Sequence, residues 1–164
     1  MPIVSNTSPL LNLAIIEHLH LLQQQFPTIL TPHAVYDELQ LNSARPGTEQ
    51  LKAAFADGWL QRTAVTNVHL VHSLRLELDG GESEAIALAL ECNASYILLD
   101  ESDGRSAAKL LGLQPIGVLG ILLRAKTLGQ IVAVKPLLLR LRTEAGFFIA
   151  PQLETSVLLS VNED

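Results

Sequence analysis

The chain has 164 residues, a usual length for one compact domain, and we expect a single domain over residues 1–164. Hydrophobic residues make up 48% and charged residues 17%, so the composition predicts a well-filled core and excludes an intrinsically disordered chain. The net charge of −6 argues against a broad basic surface for nucleic acid, although a metal ion in an acidic pocket would add positive charge locally.

Membrane insertion and secretion are not indicated by the sequence. The longest apolar stretch, residues 116–123, ends at Arg124 and is far shorter than the ~20 residues that span a bilayer. The opening residues lack the basic region of a signal peptide, and the single cysteine, Cys92, fits a reducing compartment. We therefore expect a cytoplasmic protein with no membrane partner.

Short apolar runs and helical patterns alternate from the start of the chain. A strand at residues 2–5 is followed by Thr7-Ser8-Pro9, where a hydroxyl cap and a proline begin a helix through about Leu19. The same signals recur at Thr31-Pro32, after a second strand at residues 28–30. The order of strand, cap and helix therefore occurs twice.

The rest of the chain continues this alternation. Asp79 and Glu82 have the spacing of a capping box for a helix at residues 82–92, which is apolar on all sides and therefore expected to be buried. The other expected elements are, in chain order, a helix at 46–57, a strand at 59–65, a polar helix containing His69 and His72, a strand at 96–99, a helix to Leu111, a short strand at Pro115, helices at 118–127 and from Pro136, a strand at 147–149 and a closing amphipathic helix.

This pattern predicts an α/β fold, with a mostly parallel central sheet covered by helices on both faces in three layers. Side chains just past the strand ends gather at the carboxyl edge, where such sheets bind ligands. The aromatic residues Trp59, Phe147 and Phe148 are expected in the core rather than on a surface that stacks bases.

Acidic residues stand at three positions of this predicted edge, and Asn6 stands where a fourth would be. Asp100 directly follows a strand, Glu84 lies in the first turn of a helix, and Glu38 lies in an earlier helix. Hard divalent cations such as Mg²⁺ and Mn²⁺ take oxygen ligands, and a site that cleaves phosphodiesters needs several carboxylates around them. These four residues are therefore candidate metal-site positions.

Each carboxylate also has a purely structural interpretation. Asp100 can cap the helix that begins near Ser102, and Glu84 can be stabilised by the helix dipole alone. However, Glu101 and Asp103 crowd the same turn as Asp100, and carboxylates repel one another unless they share a cation. Any of the three can be the fourth ligand, and we favour Asp100.

Basic residues are concentrated between residues 124 and 142, which indicates either a solvated helix face or a rim that contacts phosphate. Arg105 and Lys109, one turn apart after Asp100, are a second candidate phosphate contact, with a solvated helix as the alternative. Arg105 is thus a candidate substrate-binding residue.

Four segments resemble the acidic blocks of PIN-domain proteins, in order and at domain-scale spacing. They are Ile3-Val4-Ser5-Asn6-Thr7-Ser8-Pro9-Leu10, Tyr36-Asp37-Glu38-Leu39, Gly81-Glu82-Ser83-Glu84-Ala85-Ile86-Ala87-Leu88-Ala89 and Leu98-Leu99-Asp100-Glu101. The resemblance extends through Gly104-Arg105 and Gly117-Val118-Leu119-Gly120 and so covers almost the whole chain. It is closest to a PIN-like branch with a Ser-Asn/Asp-Thr-Ser-Pro-Leu opening.

The resemblance implies a metal-dependent ribonuclease, in many bacterial relatives the toxin of a VapC-type toxin–antitoxin pair. Its acidic residues would hold Mg²⁺ or Mn²⁺, which activates a water for attack on an RNA phosphodiester. The implied partners are RNA, a cognate antitoxin and a second copy in a homodimer. Carried over block by block, the metal-site positions are Asn6, Glu38, Glu84 and Asp100, with Thr7 and Ser8 near the scissile phosphate.

Asn6 departs from the family pattern, because aspartate is usual in the first block. An amide oxygen can coordinate a metal but carries no charge, so metal affinity should be weaker. The alternative is a PIN-fold protein that binds nucleic acid or protein without catalysis. A magnesium switch of the receiver type fits less well, because it needs adjacent acids near the N-terminus. We expect Asn6→Asp to tighten manganese binding and Asp100→Asn to abolish it.

Overall fold

A computed structural model describes residues 2–164 of the chain. The strands in these residues are β1 Ile3–Ser5, β2 Ile29–Pro32, β3 Leu60–Thr63, β4 Tyr96–Leu98 and β5 Pro115–Ile116. The helices are α1 Thr7–Ile15, α2 His20–Gln25, α3 His33–Glu38, α4 Thr48–Ala56, α5 Val68–Leu74, α6 Gly80–Glu91, α7 Ser102–Leu110, α8 Val118–Thr127, α9 Lys135–Glu144 and α10 Pro151–Ser160.

All five strands form one parallel sheet in the order β3-β2-β1-β4-β5. The first strand lies at the centre, where Ile3 pairs with Ile29 on one side and with Tyr96 on the other. Asn6 extends the pairing beyond β1, because its backbone N–H donates to the carbonyl of Leu98 (2.9 Å). The carboxyl ends of β1 and β4 are therefore fixed side by side.

Helices cover both faces of the sheet, because successive side chains of a strand point to opposite faces. Ile3 joins one core cluster, built with α1, α2, α4 and the three C-terminal helices, whereas Val4 joins a second cluster with α6 and α7. The expected three-layer α/β/α architecture with a parallel sheet is confirmed. None of the helices in residues 2–164 is long and apolar enough to cross a membrane.

The region around α6 agrees closely with the sequence. Residues Ala85 to Ala89 are buried, as expected for a helix that is apolar on all sides. The Asp79 side chain accepts from the backbone N–H of Glu82 (2.8 Å), and the Glu82 side chain accepts from the N–H of Asp79 (3.2 Å), so the predicted capping box is present. This box begins α6 at the edge of the sheet.

One predicted helix end and one predicted strand are wrong. The first helix ends at Ile15 rather than near Leu19, because Glu17 adopts a left-handed conformation (φ 62°) and the N–H of His18 turns back to Leu13. Residues 147–149 form no strand, since the N–H of Phe147 donates to Leu141 at the end of α9 (3.0 Å).

The three aromatic residues assigned to the core separate into two groups. Trp59 is buried as expected and Phe147 is partly buried. Phe148 is 82% exposed, so its assignment to the core is wrong. Its ring lies on the surface near the C-terminal helix α10.

Candidate active site

Asn6 lies at the centre of the carboxyl edge of the sheet and is 97% buried, with 3% of its surface exposed. Its side-chain Nδ2 donates to Oε2 of Glu101 (3.2 Å). The hydroxyl of Ser8 donates to the other oxygen, Oε1, of Glu101 (2.5 Å). Asn6 and the first turn of α1 therefore hold the Glu101 carboxylate by both oxygens, as the register of β1 with β4 allows.

Glu38 approaches the same turn from the end of α3. The Thr7 hydroxyl donates to Oε2 of Glu38. The Glu38 carboxylate also lies directly over Gly81, where any β-carbon would overlap it. Glycine at this position thus leaves space for the carboxylate between α3 and α6. Thr7 and Ser8, consecutive residues in the first turn of α1, hold the two acids.

Glu82 adds a third carboxyl group to this edge. Burial raises its pKa to about 6, opposed by the hydrogen bond from Asp79, while the negative charges of Asp79, Glu101 and Asp103 raise the pKa further. From the sequence, Glu82 was assigned only to the capping box. Its place among the acidic residues could have been inferred, because this cap lies at the carboxyl edge of the sheet.

Glu84 and Asp100 have backbone partners instead. Oε1 of Glu84 accepts from the N–H of Ala34 in the first turn of α3 (3.1 Å). Oδ1 of Asp100 accepts from the N–H of Val118 (2.9 Å), which ties the end of β4 to α8. Neither side chain makes a hydrogen bond to Asn6, so Glu101, rather than Asp100, is the acid of this block that contacts it.

The pKa of Asp100 is raised to about 6, mainly by burial and also by the nearby charge of Glu101. The hydrogen bond from Val118 and the attraction of Arg105 act in the opposite direction. Arg105 itself donates from Nη1 to the carbonyl of Leu99 (3.0 Å). Asp100 and Arg105 thus lie together on the β5 side of the edge.

The donors at Asn6 are chemically suited to a hard divalent cation, since they are carboxylate and amide oxygens. Oδ1 of Asn6 is buried and has no hydrogen-bond partner, which leaves one such oxygen unsatisfied. Within residues 2–164, however, no group of three or more His, Cys, Asp or Glu side chains has the arrangement of a metal site. The hydroxyls of Thr7 and Ser8 instead donate to the oxygens of Glu38 and Glu101 that a cation would take.

The basic residues between 124 and 142 are engaged with the chain's own groups. Lys126 pairs with Glu163 (3.5 Å), Arg140 with Glu144 (2.9 Å), and Arg142 with Glu154. The remaining two are also occupied, since Arg124 lies over aromatic rings and Lys135 donates to a C-terminal carbonyl. The solvated helix face therefore explains this segment better than a phosphate-contacting rim.

A parallel sheet with Asn6, Glu38, Glu82 and Glu101 at its carboxyl edge has the arrangement of a PIN domain. The chain belongs to the PIN-domain family: residues 2–163 match the family DUF3368, described as a PIN domain. Comparison with curated proteins gives no match. The family predicted from the four acidic blocks is confirmed, and the fold is of the nuclease type.

Proposed function

We propose that the protein is a metal-dependent endoribonuclease of the PIN type. The observation that carries this proposal is the joint anchoring of Glu38 and Glu101 by Thr7 and Ser8, consecutive residues in the first turn of α1, beside the buried amide of Asn6. Anchored carboxylates at the carboxyl edge of a parallel sheet suit the binding of a cation and the positioning of a phosphodiester.

In this proposal Asn6, Glu38 and Glu101 hold Mg²⁺ or Mn²⁺, and Glu82 adds negative charge beside them. The ion would supply an activated water and offset charge on the phosphate. The hydroxyls of Thr7 and Ser8 orient the two carboxylates and lie where the phosphate would approach. Arg105 provides a guanidinium on the β5 side. The metal roles of Glu84 and Asp100 stay predictions, because both side chains are bonded to backbone N–H groups.

The decisive experiment is cleavage of a mixed RNA pool with Mn²⁺, with Mg²⁺ and with a chelator. Glu38→Gln and Glu101→Gln should each lower the rate by at least about 100-fold, because they remove a charge from the proposed site. Glu49→Gln is the matched control, since that side chain lies on the exposed surface of α4. Equal rates for wild type, Glu38→Gln and Glu101→Gln would refute catalysis by this site.

A second candidate function is nucleic-acid or protein binding without catalysis. Asn6 favours it, because the amide removes one charge from the site and donates a hydrogen bond to Glu101 instead. This function predicts RNA binding that a chelator does not change, together with no cleavage in Mn²⁺. Binding and cleavage measured on the same RNA separate the two proposals.

We further propose the toxin role, with a cognate antitoxin as partner, and a homodimer. Apolar side chains remain exposed at several places, including Leu76 (85%), Leu110 (88%) and Phe148 (82%), and such surfaces suit protein contacts. Growth arrest on expression, relieved by a product of an adjacent reading frame, tests the toxin role. The molar mass in solution, compared with the 17.8 kDa chain, tests the dimer.

A further inference from the structure

A cavity of about 530 Å³ opens beside the edge strand β5, next to the candidate active site. We call it the β5 pocket; its lining includes Asp100, Arg105, Ile116, Gly117, Phe148 and Leu153. Its volume is in the range of about 300–1,000 Å³ typical of ligand sites. It lies past the carboxyl ends of β4 and β5, where parallel α/β sheets bind ligands.

The walls of the β5 pocket are apolar and aromatic. Phe148 and Leu153 line it while remaining 82% and 48% exposed, so a large part of their apolar surface faces solvent. A planar, apolar-faced group that enters the pocket would remove this surface from water. A nucleobase has such a face, and it stacks on an aromatic side chain irrespective of its identity.

One end of the pocket is charged. Arg105 donates one N–H to the carbonyl of Leu99. Among residues 2–164, no carboxylate forms a salt bridge with Arg105 within 4 Å. Its other N–H groups are available for an anion, and a guanidinium can bind phosphate through two of them. The pocket therefore combines an aromatic wall, which suits a base, with a guanidinium, which suits a phosphate, and the Asp100 carboxylate lies beside that guanidinium.

Gly117 keeps this charged end open. A β-carbon there would stand 2.6 Å from Oδ1 of Asp100 and 3.4 Å from Nη1 of Arg105. Asp100 stays in place through its hydrogen bond to Val118. The next residue, Glu101, contacts Asn6, so adjacent residues of one turn connect the pocket to the acidic edge.

We propose that the β5 pocket binds the base of a nucleotide that flanks the scissile phosphate of single-stranded RNA. Phe148 stacks on the base and Arg105 contacts the phosphate of the same nucleotide. This inference rests on the proposed function, because the acidic edge supplies the reason for a polynucleotide to lie there. The pocket accepts any base at this position, because stacking on Phe148 does not depend on which base is present.

The test is binding of a fluorescent single-stranded oligoribonucleotide in EDTA, so that no cleavage occurs. Phe148→Ala should weaken the affinity roughly 10-fold or more, because it removes one stacking platform. Leu110→Ala is the matched control: this side chain is 88% exposed on α7 and does not line the β5 pocket, so its affinity should equal that of wild type. The high exposure of both positions keeps the variants folded, and circular dichroism checks this.

Arg105→Gln gives a second, independent readout. Wild type should bind ribonucleoside 5′-monophosphates more tightly than the corresponding nucleosides, whereas Arg105→Gln should bind both alike. Wild-type affinity in Phe148→Ala, or an unchanged preference in Arg105→Gln, overturns the proposal. It is equally overturned if Phe148→Ala changes only the molar mass in solution, since the pocket is then an interface between copies.

Failure of the nuclease proposal gives a different result. If RNA is never cleaved but Phe148→Ala weakens oligonucleotide binding, the β5 pocket stands and catalysis does not. If Phe148→Ala cleaves RNA with the kcat and KM of wild type, catalysis stands and the pocket assignment is wrong.

Discussion

The amide of Asn6 donates to Oε2 of Glu101 across 3.2 Å, at the end of the central strand. An aspartate at position 6 would have no N–H to give and would place a second negative charge against Glu101. Asn6 is therefore more than the loss of an acidic ligand, because it neutralises part of the repulsion within the cluster. Its buried Oδ1, which has no partner, remains the oxygen that a cation would take.

Asn6→Asp should lower the free energy of unfolding of the metal-free protein by about 2 kcal/mol at pH 7.5. The reason is the loss of a buried hydrogen bond and the repulsion of two carboxylates. Mn²⁺ should recover this loss and stabilise the variant more than it stabilises wild type. Urea unfolding with EDTA and with Mn²⁺ measures both effects. An identical manganese response in the two proteins would show that position 6 does not face the ion.

Gly81→Ala should displace the Glu38 carboxylate and lower manganese affinity and RNA cleavage at least about 10-fold. Glu38 is exposed, so its carboxylate can move into solvent, and we expect the free energy of unfolding to change by less than about 1 kcal/mol. Gly80→Ala is the neighbouring control, because its β-carbon meets nothing closer than Cζ of Arg75 at 3.8 Å. Calorimetric titration with Mn²⁺ compares them, and equal affinities for both variants would contradict the role of Gly81.

Asp100→Asn should change how stability depends on pH in metal-free buffer. The folded pKa of about 6 lies above the ordinary value of 3.8, so the folded state binds more protons between these values. Wild-type stability therefore falls as pH rises from about 4 to 6, and the loss stays constant above pH 6. Asp100→Asn should avoid this loss. Its free energy of unfolding relative to wild type should therefore be about 2 kcal/mol greater at pH 7.5 than at pH 4. Parallel stability curves for the two proteins would disprove the raised pKa.

Asp79→Ala should cost about 1 kcal/mol of stability, because it removes the N-cap of α6. Asn67 caps α5 in the same way, accepting from the N–H of Leu70 (3.1 Å), so Asn67→Ala should cost a similar amount. Glu82 keeps its hydrogen bond from the backbone N–H of residue 79 in this variant. However, only Asp79→Ala removes a negative charge beside Glu82, so only this variant should alter manganese affinity. Thermal unfolding and calorimetry on the pair measure the two effects, and a change in affinity in both variants would count against a local role for Glu82.

The sequence predicted the α/β architecture, the capping box of α6 and the family, because each depends on local patterns or on ordered motifs. It favoured Asp100 over Glu101 as the fourth ligand, whereas Glu101 is the residue that contacts Asn6. Adjacent side chains at the end of a strand point in different directions, and β4 ends at Leu98, one residue before its expected end. Phe148 was wrongly assigned to the core, because an aromatic pair indicates apolar surface without showing whether other residues cover it.

The pairing of Asn6 with Leu98 has a consequence for how the site forms. Its two halves are separated by about ninety residues of chain, and only the parallel pairing of β1 with β4 brings them together. Contacts of such long sequence separation are slow to form, because loop closure precedes any gain from the contact. Manganese or nucleotide affinity should therefore appear late in refolding, after helical structure has formed, so the acidic edge can serve as a kinetic reporter of the completed central sheet.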